Sequence, residues 1–161
     1  MRTFEIFSGA GGLAKGLELT GFEHSKFVEF NKDACASLSK NFDPSMVFCG
    51  DIRNFDLATL NKIDVVAGGP PCQPFSLGGK HQASQDERDM FPYAIRAIEH
   101  LKPKAFVFEN VKGLLRPSFK DYFDYIILRL TYPLVENQAL DWQDHFTQLK
   151  KLDKHKLISV N

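Results

Sequence analysis

Cysteine is scarce in this chain of 161 residues: Cys35, Cys49 and Cys72, with no Cys-x-x-Cys pair among them. An odd count without paired spacing argues against a disulfide framework and against a zinc cluster. Charge of one sign is also missing, since 20 Lys and Arg balance 20 Asp and Glu. A neutral chain has a poor electrostatic footprint for holding nucleic acid unaided. No apolar stretch approaches the roughly 18 residues of a membrane span, and Met1 to Phe7 is no basic-then-apolar leader, so a cytosolic protein without a membrane partner is expected. Repeats, low-complexity tracts and a Walker lysine followed by Ser or Thr are absent too.

What is present is a regular alternation. At 43% hydrophobic residues the chain can bury a core. Strand-like runs at 3–7, 27–30, 46–48, 65–67 and 105–108 are separated by helix-like stretches. The helices are expected at about 11–20 with Gly21 beyond the end, after Asn31, briefly at 57–60, over 91–101 before Pro103, and after Ser118 as a cap. Cys35 and Cys49 read as core residues. The polar loop from Leu77 to Asp89 reads as mobile. Beyond Pro133 the pattern weakens to one short surface helix around Trp142, Phe146 and Leu149 and a frayed basic tail. The expected architecture is α/β, a mostly parallel sheet with helices on both faces; residues 1–132 form the cofactor-binding and catalytic domain and 133–161 an extension of it.

In such sheets ligands sit at the carboxyl ends of the strands. Five of those ends carry chemistry here. Gly69-Pro70-Pro71-Cys72-Gln73-Pro74-Phe75-Ser76 leaves the fourth strand at two prolines, which cannot continue a central strand, and so presents Cys72 instead of burying it. Glu109 and Asn110 follow the fifth strand. Phe7-Ser8-Gly9-Ala10-Gly11-Gly12-Leu13 joins the first strand to a helix, and its glycines let backbone N–H groups approach a ligand. Its spacing departs from the dinucleotide pattern G-x-G-x-x-G. Glu29 lies 20 residues after Gly9, where a carboxylate can accept ribose hydroxyls, and Asp51 ends the third strand. Alone, each acid is an ordinary surface residue. Together with the turn they outline a nucleoside pocket, which points to S-adenosyl-L-methionine, whose carboxylate suits a helix N-terminus.

Over roughly residues 3 to 115 the sequence resembles the cytosine-C5 DNA methyltransferases. Phe7 to Leu13, Glu29, Asp51-Ile52, Gly69 to Ser76 and Glu109-Asn110-Val111 are similar to that family's signatures, in order and each after a strand. The resemblance implies a Rossmann-like methyltransferase fold and double-stranded DNA as partner. It makes Cys72 the nucleophile, Glu109 the acid at cytosine N3 and Asn110 the residue that orders the cysteine loop. Phe7, Ser8, Gly9, Gly11, Gly12, Leu13, Glu29, Phe30, Asp51, Ile52, Pro71 and Met90 would bind cofactor. Gln73 and Ser76 would assist base extrusion or hold phosphate, and the loop from Leu77 would close over DNA.

The family's Gln-x-Arg-x-Arg signature, its target-recognition region and its last signature do not occur in these residues. The sheet is therefore expected to be incomplete at the carboxyl end, and a missing carboxyl-terminal half or a complementary subunit is the expected further partner, within a restriction-modification system. Two alternatives share the apparatus: a transfer RNA cytosine-C5 methyltransferase, and an inactive cofactor-binding or interaction fragment. A nicotinamide oxidoreductase would leave Cys72 and Glu109 without a role.

Overall fold

The computed structural model describes residues 1–71, 89–136 and 141–158. They fall into two compact units, Met1–Pro71 with Pro92–Asn110, and Cys72–Phe91 with Val111–Asn161.

The first unit holds five strands: β1 (Arg2–Ile6), β2 (Glu23–Glu29), β3 (Val47–Cys49), β4 (Val65–Gly68) and β5 (Ala105–Phe108). They lie in the order β3-β2-β1-β4-β5, and every pairing is parallel. Helices α1 (Gly12–Leu19) and α2 (Lys32–Asn41) link β1 to β2 and β2 to β3, and α3 (Phe91–Leu101) leads into β5. From β1 the sheet is built outward in both directions. Right-handed crossovers then place α1 and α2 on one face and α3 on the other, so the expected α/β architecture is the one found.

Central strands in such a sheet are covered on both sides, and β1 is: Thr3 and Glu5 are as fully buried as Phe4 and Ile6. Ala14 of α1, Phe27 of β2 and Leu38 of α2 form one buried cluster, while Phe4 stacks on Phe55 with ring centroids 5.4 Å apart. Helix α2 starts where Asn31 caps it, its side chain accepting from the amides of Asp33 and Ala34. Helix α1 stops at Thr20, and Gly21 follows at φ 86°, a conformation that glycine tolerates best. The helix-like piece near Leu57 is a 3₁₀ turn, Leu57–Thr59. Of the two cysteines expected in the core, Cys35 is buried but Cys49 is exposed. As the last residue of the three-residue edge strand β3, Cys49 has little to cover it.

The second unit is helical, with α4 (Lys120–Thr131) and α5 (Trp142–Ile158). Ser118 is not the cap of α4, because Pro117–Phe119 form a 3₁₀ turn that runs into the helix without a side-chain cap. Helix α5 is 17 residues long and belongs to the interior as much as to the surface. Phe146 and Leu149 are buried with Phe91, Leu114, Tyr122, Tyr125 and Ile126, so the helix expected on the surface is packed along one side. Asp89, expected at the end of the mobile loop, is buried as well: it accepts from the amide of Phe91 and the hydroxyl of Tyr122. Among the described residues no helix is long and apolar enough to cross a membrane.

Candidate functional site

Because the sheet grows outward from β1 and β4, the segments after these two strands diverge and leave a crevice at their carboxyl ends, where α/β proteins bind ligands. Two turns meet there. After β1, Phe7, Gly9 and Gly11 all have positive φ, at 54°, 55° and 90°. At the end of β4, Gly68 has φ 154°, and a Cβ on it would stand 1.8 Å from the Ile6 carbonyl oxygen, so only glycine fits. A Cβ on Gly69 would lie 3.8 Å from the Phe7 carbonyl oxygen and 3.5 Å from Glu109 Oε2. The glycine turn, the start of the cysteine segment and the Glu109 carboxylate thus border one space.

On the β1 side, Glu29 organises the turn. Its Oε2 accepts from the Gly9 amide and its Oε1 from the Asn31 amide, both at 2.8 Å. One carboxylate therefore fixes the glycine turn and the entry to α2 together. A carboxylate offers about four acceptor positions, so two remain for further donors. Ser8 turns inward, its hydroxyl donating to the Glu5 carbonyl at 3.1 Å. Gly11 packs against α2, where a Cβ would meet Phe42 and Leu38 at 2.8 and 2.9 Å. Phe7 and Leu13 are half-buried, Gly12 is exposed, and Phe30 leaves 74% of its surface open.

Asp51 and Ile52 differ in availability. Ile52 is buried at 7%. Asp51 is already engaged by Arg53, whose guanidinium donates to both carboxylate oxygens at 2.6 to 3.0 Å and holds the acid below its ordinary range. A nucleoside amino group would share Asp51 with Arg53.

On the β4 side, Pro70 is fully buried and Pro71 exposed. Asn110 Nδ2 donates to the Pro70 carbonyl at 2.7 Å, tying the end of β5 to the segment that enters the cysteine motif. Glu109 is exposed, and its amide extends the ladder to the Gly68 carbonyl at 2.9 Å. Cys72, Gln73 and Ser76 lie outside the described residues, as do residues 77–88 of the expected loop. Met90 is half-buried and belongs to the second unit.

Several contributors were not singled out from the sequence. Gly68 is one, and its signal was the Gly-Gly pair ahead of the prolines. Arg53 is another, two residues after Asp51. Beneath the glycine turn, Glu5 is fully buried, with His24 Nδ1 3.0 Å from its carboxylate and Thr3 Oγ1 2.8 Å from the same nitrogen. Burial pushes Glu5 up to about 7 and His24 down. Nothing in the spacing of Thr3, Glu5 and His24 announces such a group.

The family model for C-5 cytosine-specific DNA methylases matches residues 1–132. The chain belongs to that family. It is 46% identical over 124 residues to the Type II methyltransferase M.NgoMIV of Neisseria gonorrhoeae, covering 77% of this chain and 40% of that protein. To M.NaeI of Lentzea aerocolonigenes, another Type II methyltransferase, it is 40% identical over 135 residues, covering 81% and 32%. Among solved structures, a candidate DNA modification methyltransferase encoded within an E. coli prophage superposes with a TM-score of 0.66 at 25% identity, over 81% of this chain and 38% of that one. The chain therefore spans well under half the length of these relatives.

Proposed function

We propose that this chain is the cofactor-binding and catalytic part of a DNA cytosine-C5 methyltransferase of a restriction-modification system, using S-adenosyl-L-methionine. The observation that carries the reading is the convergence of the Glu29-held glycine turn and the Glu109–Asn110 end of β5 on the same crevice, with the cysteine motif issuing from Pro70. The residues fit the cofactor. Positive φ at Gly9 and Gly11 opens the backbone toward a ligand, and Glu29 keeps acceptor positions free for ribose hydroxyls. When bound, the cofactor supplies an electrophilic methyl group.

The protein's own work is on the cytosine. In this reading the Cys72 thiolate forms a bond to C6 of an extruded base while Glu109, facing N3, keeps negative charge from building up on the ring. The carbon made nucleophilic is C5. After C5 is methylated, its proton leaves to a base and the C6 bond to sulfur breaks, returning the thiolate. Asn110, through the Pro70 carbonyl, sets the direction in which the cysteine segment leaves β4.

The test is covalent trapping. In the enzyme assembled with its carboxyl-terminal part, DNA carrying 5-fluorocytosine should form an adduct with the wild-type chain and none with Cys72→Ser. Equal trapping by both would overturn the assignment.

A further inference from the structure

Cys35 and Cys49 come together around one backbone carbonyl. Parallel pairing of β2 with β3 sets Cys49 opposite Glu29. Helix α2 starts at Lys32, soon after the end of β2, and its first turn brings the Cys35 thiol back to donate to the Glu29 carbonyl at 3.2 Å. The Gly50 amide donates to the same carbonyl at 2.9 Å. The Cys49 side chain stands within hydrogen-bonding reach of the Cys35 thiol, and both thiols are free.

The two differ in what reaches them. Cys35 is buried at 5%, whereas Cys49 is exposed at the end of β3, which among the described residues is an edge of the sheet. Burial first, then Cys49 and the Glu29 carboxylate, push the Cys35 thiol up to about 12, which makes it a poor first nucleophile. A dissolved oxidant therefore meets Cys49, with Cys35 behind it to complete the reaction. Losing the Cys35 thiol as a donor orphans nothing, because the Gly50 amide still satisfies the Glu29 carbonyl. An accessible thiol poised next to a resolving one is the arrangement of a reversible redox pair.

We propose that Cys35 and Cys49 are a peroxide-responsive thiol pair that closes to a disulfide between α2 and β3 and thereby weakens cofactor binding. The Cys49 thiolate attacks one oxygen of hydrogen peroxide, the O–O bond breaks, Cys49 becomes a sulfenic acid, and the departing hydroxide takes up the thiol proton as water. The Cys35 sulfur then attacks the sulfenic sulfur. Its proton goes to the leaving hydroxyl, and a second water departs as the S–S bond forms. Peroxide gains two electrons and the thiols lose the same two. Exchange with an external thiol reverses the step. A disulfide holds its sulfurs about 2 Å apart, inside hydrogen-bond contact, so the first turn of α2 and the end of β3 must close up. Beside these segments lie Asp51, two residues after Cys49, and Glu29, whose carboxylate holds the amides of Gly9 and Asn31. The effect on cofactor rests on the functional reading above; the thiol pair does not.

The test treats the 161-residue chain with hydrogen peroxide and maps its unreduced peptides by mass spectrometry. A Cys35–Cys49 linkage is expected, reversed by dithiothreitol. In Cys35→Ser the second step has no thiol, so dimedone should tag a Cys49 sulfenic acid, whereas in Cys49→Ser it should leave Cys35 untagged. Should Cys35→Ser not fold, dimedone added to the wild-type chain together with peroxide should compete with the linkage and tag Cys49 ahead of Cys35. Affinity for S-adenosylhomocysteine is read in a Cys72→Ser chain, where oxidation of the assigned nucleophile plays no part. Closing the pair should weaken that affinity at least about threefold, and adding Cys49→Ser should abolish the response. Oxidation of Cys49 without a linkage, a linkage through Cys72 instead, or equal affinity of the open and closed forms would each overturn the proposal. A chain that forms the linkage yet binds S-adenosylhomocysteine in neither state would count against the functional reading and leave the thiol pair standing.

Discussion

Glu29 concentrates more structure than any other acid of the site, because its two oxygens hold the amides of Gly9 and Asn31. Glu29→Ala should lower affinity for S-adenosylhomocysteine roughly tenfold or more, the loss of a charge-assisted hydrogen bond worth about 1.5–3 kcal/mol. Calorimetry showing unchanged affinity would count against the ribose assignment. Glu5 makes a different prediction. Its folded-state value, about 7, lies above the ordinary 4.5, so the native state binds the extra proton and stability is lost as pH rises through that interval. The downward shift of His24 works in the other direction and removes stability as pH falls below its ordinary 6.5. The Glu5 contribution should therefore fall between about pH 4.5 and 7, opposed in part by His24 below pH 6.5. Urea titrations of Glu5→Gln over that range should show the fall abolished; an unchanged slope would move its origin elsewhere.

Among the elements, α5 is the one whose role changed most between pattern and structure. Its apolar residues are few, yet Leu149 is fully buried and Phe146 is buried at 5%, both against residues of α4. Leu149→Ala should cost about 2–5 kcal/mol, as for a core leucine, whereas a surface helix would lose a few tenths. Thermal melts decide between them. Strand lengths were legible to within a few residues, except that β2 begins at Glu23, four residues earlier than its apolar run. Glu23, His24, Ser25 and Lys26 read as polar, but parallel pairing of Arg2 with Glu23 and Thr3 with His24 supplies the ladder that periodicity could not.

For the whole molecule, the neutral charge and the missing Gln-x-Arg-x-Arg signature bear on DNA. Phosphate contacts supply most non-specific affinity and base-edge contacts supply specificity. Residues 1–161 alone should bind duplex DNA weakly and transfer tritiated methyl groups to it far more slowly than the chain joined by a methyltransferase carboxyl-terminal part. Equal turnover by the two would show that the contacts lie within these residues.

The sequence alone determined the order of strands and helices and the family signatures at the strand ends, because hydrophobic period, glycine and proline are local properties that the chain states directly. It also marked Cys72, although that residue lies outside the described part. Only the tertiary structure decided that Glu29 spends two acceptor positions on its own backbone, that Arg53 occupies Asp51, that Asn110 reaches Pro70, and that Glu5 sits under the turn with a raised pKa. Each depends on residues brought together by strand pairing or by the turn of a loop, and the energy of a buried carboxylate is set by what surrounds it. Among the described residues the end position of β5 belongs with these, since strand order is set by pairing and not by the run Ala-Phe-Val-Phe itself.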